Sequence, residues 1–183
     1  MKKHSILFVL LFVVSFVSAQ KIKARKGYTP QIGVMVDMLE EGKKEIYKRV
    51  KNLNQDQTDY LMDEKANRIG ALIMHILAVE TVYQIETFEG RYFSEEEKLK
   101  WDAALNLDDK GREELKGNPI KHYLDIWDEV REKTLKVLKT KDDKWLSTNY
   151  DMVSNYHWSW YHVMEHQAKH FGQISMLLER MPK

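Results

Sequence analysis

Proline placement and the lack of strand-forming patterns are the features that most restrict how this chain can fold. Proline occurs only at positions 30, 119 and 182, and each place suits the beginning or the end of a helix. The rest of the sequence shows no runs of alternating β-branched residues bounded by turns, which would indicate strands. Long segments instead repeat apolar residues at the spacing of one helical face. The sequence therefore predicts an all-α protein.

Four of these segments are long enough to form a bundle. They are predicted to run from Pro30 to about Asn52, from about Lys65 to Phe88, from about Pro119 to Lys139, and from about Asn155 to Met181. In the first of them the apolar stripe consists of Ile32, Met35, Val36, Leu39, Ile46 and Val50. The charged stretch 91–117 is interpreted as a long connection with a short helix after Ser94. Four amphipathic helices with one long crossover connection favour a four-helix bundle.

The N-terminal segment has the composition of a cleaved signal peptide. Lys2 and Lys3 precede an apolar run from Ile6 to Val17, and the small residues Ser18 and Ala19 follow. We expect a signal peptide at residues 1–19, a helical domain at residues 20–183, and a periplasmic or secreted protein. Because the run is shorter than the ~18–20 residues that span a bilayer, no stable membrane insertion is expected. An uncleaved N-terminal anchor is the alternative.

Charge and cysteine content exclude several classes of function. The sequence has 29 basic and 28 acidic residues, so the processed chain is close to neutral. No basic cluster is interleaved with stacking aromatic residues, and we therefore expect no nucleic-acid partner. Cysteine is absent. This excludes a thiolate nucleophile, a sulfur-ligated metal and a lipid-modified cysteine anchor.

Histidines at regular spacing are the strongest indication of chemistry. His162, His166 and His170 follow one another every four residues, and each residue advances about 100° around a helix. On this wheel His166 and His170 share the inward face with Val163, whereas His162 lies at its edge. On the second helix, His75 shares the inward face with Leu72, Val79 and Val82. Three imidazoles are therefore predicted to meet inside the bundle.

A shared metal ion explains this convergence better than packing does. A buried polar ring costs free energy unless it has a hydrogen-bond partner, and a divalent metal gives each ring nitrogen such a partner. His166 and His170 lie one turn apart, and His75 would supply the third ligand from another helix. Three protein ligands leave at least one position open, as in catalytic zinc sites. Histidines that are only hydrogen-bonded in the core are the alternative.

Two better-known metal motifs are excluded. A zincin protease has a glutamate directly after its first histidine, where this chain has Gln167. Carboxylate di-iron bundles need Glu-x-x-His pairs, whereas Glu80 and Glu165 have Tyr83 and Ala168 three residues later. No carboxylate is placed as a general base, so the catalytic residues are unknown.

Two segments resemble the DinB-like (YfiT) family of four-helix proteins. One is "IGALIMHILAVE", which contains His75, and the other is "YHVMEHQAKHFGQISMLLERMP", which contains His166 and His170. The resemblance implies a metal held by these three histidines, zinc or nickel most commonly, and a homodimer. It also implies a thiol-dependent activity on a small molecule. The chain departs from the family in two ways. It has Phe171 where the family commonly has arginine. Its expected signal peptide would also place it outside the cytosol, where the small thiols of the family are found.

Two functions follow as hypotheses. The first is an exported metal-dependent transferase or hydrolase that acts on a small-molecule substrate. The second is a non-catalytic metal- or ligand-binding module related to stress. Gln173 would orient a ligand or lie at the polar edge of the bundle, and Gly172 would permit close helix packing. Glu80 is about 140° from His75 on its helix, which excludes it as a neighbouring ligand.

Overall fold

Four long helices form the body of the protein in this computed structural model, which describes residues 21–149 and 152–182. They are α1 (Pro30–Val50), α3 (Ile69–Gln84), α6 (Ile120–Leu138) and α8 (Tyr156–Arg180). The shorter helices are α2 (Gln55–Thr58), α4 (Glu95–Asn106), α5 (Asp109–Glu114) and α7 (Asp143–Leu146). A π-helical turn, Ile85–Glu89, extends α3. The described ranges contain no strand, so the predicted all-α class is confirmed. The predicted signal peptide lies outside the described residues.

Two apolar clusters reveal the direction of each long helix. The first contains Val50, Ile69, Ile120 and Ile174. The second contains Ile32, Leu138 and Trp160, with Phe88 packed against it. The chain therefore passes from the second cluster to the first along α1 and α8, and from the first to the second along α3 and α6. Because α3 and α6 run parallel, the segment that joins them must cross the length of the bundle, as the predicted long connection requires.

This connection is more ordered than the sequence suggested. Its first part is α4, a helix of 12 residues whose N-terminus is closed by a capping box between Ser94 and Glu97. Trp101 and Ala104 are 5% and 2% exposed and join the first cluster. The short helix predicted after Ser94 is therefore a full element that packs along α3. The sequence did not indicate this helix clearly, because its few apolar residues lie among many charged residues that face solvent.

Close helix packing depends on different glycines from the one the sequence suggested. A Cβ atom at Gly70 would lie 2.5 Å from the ring of Tyr123, and one at Gly42 would lie against the side chain of Gln167. A Cβ at Gly172 would meet nothing within 4 Å. The prediction that Gly172 permits close packing is wrong, because this position faces open space.

A layer of polar side chains separates the two apolar clusters. Arg131 of α6 is 1% exposed and Glu80 of α3 is fully buried. The guanidinium donates two parallel hydrogen bonds of 2.9 Å to the Glu80 carboxylate. It also donates to the carbonyl of Leu39 at 2.9 Å and to the Gln167 side-chain oxygen at 3.0 Å. One side chain thus contacts α1, α3 and α8 from α6.

The Glu80 carboxylate remains ionised in this layer. Burial acts to raise its pKa, but the charge of Arg131 and the hydrogen bonds from Arg131 and Thr134 outweigh burial, so the pKa lies below its usual value. Thr134 donates to Glu80 at 2.6 Å. A buried ion pair with such satisfied hydrogen bonds sets the relative positions of the helices that carry it.

The helix Ile69–Glu89, which combines α3 and its π-helical turn, is long and apolar enough to cross a membrane, and no other described helix is. The bundle buries 67% of its most apolar window. Its apolar composition is accounted for by its central position, where it packs against α4, α6 and α8.

Replacing Arg131 should show how much the polar layer contributes. Arg131→Met would leave the Glu80 carboxylate buried without a counter-charge, and we expect the free energy of unfolding to fall by about 3–5 kcal/mol. Urea denaturation followed by circular dichroism measures this loss. Lys121→Met removes an ion pair with Asp125 whose side chains are 78% and 54% exposed. This control should change stability by less than ~1 kcal/mol, and an equally small loss in Arg131→Met would contradict the assigned role.

Candidate metal centre

The three histidines lie where α3 and α8 pack side by side in opposite directions. His75 is in the middle of α3, and His166 and His170 occupy successive turns of α8. The Nε2 atom of His166 lies 3.0 Å from the Nε2 atoms of both His75 and His170. One nitrogen of each ring lies within 4.8 Å of the others. The rings converge as the helical wheels predict; that they hold a metal stays a prediction.

Outer hydrogen bonds determine which nitrogen of two rings points to the centre. The carbonyl of Ala104 lies 2.7 Å from Nδ1 of His75. Because a carbonyl only accepts, Nδ1 carries the hydrogen and Nε2 presents its lone pair. Likewise, Nδ1 of His170 donates to the Gln173 side-chain oxygen at 2.7 Å. Such outer partners orient histidine ligands in known metal sites.

The cluster fits a divalent cation better than it fits an empty hydrogen-bond network. The Nε2 lone pairs of His75 and His170 both face Nε2 of His166, which can donate at most one hydrogen. In a tetrahedral zinc site, ligand nitrogens at ~2.0–2.1 Å from the metal are about 3.3 Å apart. Nε2 of His166 lies 3.0 Å from each of the other two Nε2 atoms, and all three lie within 4.8 Å of one another, so a small adjustment of the rings would bring them around one ion. Nδ1 of His166 is buried and has no hydrogen-bond partner among the described residues, with or without an ion at Nε2, so this atom does not distinguish the two states. The donor set and its spacing therefore suit a metal.

Burial keeps all three imidazoles neutral. It lowers the pKa of His75, partly offset by the hydrogen bond to Ala104. It lowers the pKa of His170, partly offset by Gln173. For His166, burial together with the neighbouring His170 and His75 lowers the pKa to about 3. Neutral rings keep the lone pairs that metal coordination requires.

The centre is half-buried rather than enclosed. His75, His166 and His170 are each partly exposed, as are Val79 and Val82 on the same face of α3. The expectation of three histidines inside the bundle is therefore corrected. This face of α3 lies between α4 and α8, which leave it partly open.

His162 does not join the cluster. Its ring stacks on Trp158 with centroids 5.3 Å apart and meets Tyr83 edge-on at 5.7 Å. Its centroid is 6.0 Å from that of His166, and its Nδ1 lies 3.3 Å from the Glu165 carboxylate. His162 is therefore peripheral, as predicted, and it belongs to an aromatic wall next to the centre.

The remaining predicted residues have definite positions. Gln173 supports His170, which is one of the two roles the sequence left open. Glu80 is committed to Arg131 and does not reach the histidines. Sequence reasoning missed the Ala104 carbonyl, because any residue can offer one. It also missed Arg131, although an arginine within the apolar stripe of α6 was a usable signal.

Removing a histidine should separate ligands from bystanders. We expect His170→Ala to weaken zinc binding by at least about 100-fold, since loss of an outer partner alone costs 10–100-fold. His122→Ala, at an exposed position of α6, should leave zinc affinity within about twofold. Competition with a chromogenic chelator measures both values. Equal zinc affinity in the two variants would show that the cluster is only hydrogen-bonded.

A family model described as mycothiol-S-transferase matches residues 34–182 of the chain. A search of curated proteins gives no significant match. The matched range contains His75, His166 and His170, and a three-histidine group in a DinB-like protein can bind a divalent metal. The resemblance to DinB-like proteins is thereby confirmed. Because the match covers most of the sequence, the chain belongs to the mycothiol-S-transferase family, a DinB/YfiT-like family.

Proposed function

We propose that this protein is an exported, metal-dependent transferase that joins the sulfur of a small thiol to an organic acceptor. The observation that carries the proposal is the convergence of three imidazole nitrogens on a half-exposed face. Membership of a family named for S-transfer supports the reaction class. A thiol is the donor class we propose, and zinc or nickel is the proposed metal, since neutral imidazoles suit both.

The residues around the centre have separate tasks in this reaction. A divalent metal held by His75, His166 and His170 would lower the pKa of a thiol at its open position. Ala104 and Gln173 keep two of the rings oriented. The half-open face admits both substrates. Because the chain has no cysteine, the sulfur nucleophile must come from the substrate.

The net transfer balances without an oxidant or reductant. The thiol loses its proton to solvent, and its sulfur forms a bond to an electrophilic carbon of the acceptor. The bond between that carbon and its leaving group breaks, and the leaving group departs with the electron pair. None of the described aspartates or glutamates hydrogen-bonds the three rings. A metal held by three histidines would ionise either a thiol or water, so the preference for a thiol rests on the family's description as an S-transferase.

A transfer assay tests this proposal. The zinc- or nickel-loaded protein should accelerate the reaction of at least one thiol, from a panel of cysteine, N-acetylcysteine, glutathione and mycothiol, with a chromogenic aryl halide. His170→Ala should reduce kcat/KM by at least about 100-fold through loss of the metal. His122→Ala should retain the rate. Full metal occupancy without acceleration for any thiol would favour a non-catalytic metal-binding module.

Export is a separate part of the proposal and has its own test. The basic and apolar N-terminal residues support a signal peptide at residues 1–19. When the full-length chain is expressed in a Gram-negative host, mass spectrometry of the periplasmic or secreted fraction should give the mass of a chain whose first residue is Gln20. An Ile6→Lys, Val9→Lys variant should remain uncleaved in the cytoplasm, because charges interrupt the apolar run. Uncleaved wild-type protein in the cytoplasm would contradict export.

A further inference from the structure

A cavity lies close to the metal centre, between the C-terminal half of α8 and residues 62–67, which precede α3. Its volume is about 260 Å³, near the lower limit of small-ligand pockets at roughly 300 Å³. Gln173, which supports His170, is part of its wall. Leu72, one turn before His75 on α3, is another part. We call it the Asn67 cavity. Its apolar lining consists of Met62, Ala66, Leu72, Met176 and Leu177, and the exposed, charged residues Asp63 and Lys65 complete its wall.

Asn67 lines this cavity, and its side-chain oxygen is sealed from solvent in the cavity wall. Its side-chain oxygen is buried and has no hydrogen-bond partner among the described residues. A buried acceptor without a partner is unfavourable, because it has lost its water and gained nothing in return. A rotation of the Asn67 side chain would turn this oxygen into the cavity, where an N–H or O–H group of a ligand would relieve the deficit. The deficit is therefore a reason for the cavity to bind a partly polar molecule.

Gln173 connects the cavity to the metal centre. Its side-chain oxygen accepts the hydrogen bond from Nδ1 of His170. Its amide nitrogen has no hydrogen bond among the described residues, and the side chain lines the cavity. A carbonyl group of a ligand can accept from this nitrogen while His170 stays supported. One side chain can thus contact both a metal ligand and a molecule in the cavity.

We propose that the Asn67 cavity binds the acceptor substrate, a neutral organic molecule with an apolar body and an amide or similar group. This inference rests on the proposed transfer function and assigns the second substrate to a place. The five apolar side chains suit the body of an organic electrophile, and the opposite charges of Asp63 and Lys65 favour no net charge on the ligand. The sulfur of the thiol would occupy the open side of the metal centre. Asn67 accepts a hydrogen bond from the acceptor, and Gln173 donates one to it.

An unreactive probe tests the cavity without any reaction. 4-Nitrobenzamide has an aromatic body, N–H groups for Asn67 and a carbonyl for Gln173. A titration of the ¹⁵N-labelled, zinc-loaded protein, followed by NMR, should give a Kd of roughly 1 mM. The largest shifts should occur at residues 62–67 and 172–177. Saturable binding elsewhere, or none up to about ten times that concentration, would overturn the proposal.

Matched substitutions distinguish this cavity from other depressions on the surface. Ala66→Trp fills the Asn67 cavity and should weaken probe binding at least about tenfold. Ala168→Trp fills a depression beside Gly42 and Phe171 and should leave the Kd within about twofold. Asn67→Leu keeps the size of the side chain and should weaken the probe about tenfold, with unchanged zinc affinity. Gln173→Leu should weaken both the probe and zinc. If Ala66→Trp and Ala168→Trp behave alike, the cavity is not the site.

The kinetic form of the test separates this proposal from the proposed function. In the transfer assay, Ala66→Trp should raise KM for the aryl halide about tenfold and leave KM for the thiol unchanged. If probe binding depends on Asn67 but no thiol is transferred, the cavity proposal stands and the transferase proposal is wrong. If Ala66→Trp transfers the thiol with an unchanged KM for the aryl halide, the transferase proposal stands and the cavity proposal is wrong.

Discussion

The hydrogen bonds of Arg131 connect the metal centre to the rest of the bundle. This guanidinium binds Glu80, five residues after His75, and Gln167, which follows His166. The axial positions of α3 and α8 are therefore set close to the three imidazoles. A slide of one helical turn, about 5.4 Å, would break the polar layer and separate the rings. A costly buried charge pair thus provides the register that uniform apolar packing cannot specify.

The metal centre combines firm support with an open side. α4 supplies the Ala104 carbonyl to His75, and α8 supplies Gln173 to His170, so two rings are oriented by groups on two different helices. The same arrangement leaves Val79 and Val82 partly exposed beside the rings. Closed structural sites lack such an opening. This partial exposure supports the proposed catalytic function over a purely structural metal.

The sequence predicted what depends on apolar periodicity and missed what depends on polar or backbone groups. All six apolar residues assigned to the α1 stripe are buried, and the helical wheels correctly brought together His75, His166 and His170. Arg131 was missed because a charge normally indicates a solvent-exposed face. Ala104 acts through its backbone, which leaves no trace in residue identity. The boundary of α3 was wrong by a few residues, because Asp63 caps a turn at Lys65 and Ala66 before the helix begins.

The sequence separation of the histidines has a consequence for the stability of the folded chain. His75 and His166 are 91 positions apart, and the protein contains no disulfide that could tie such distant segments together. A cation shared by these rings would close that large loop and reduce the freedom of the unfolded chain, as a covalent cross-link does. If the protein is exported, such an ion would act as a reversible cross-link. Chelators outside the cell would then lower the stability of the fold by removing it.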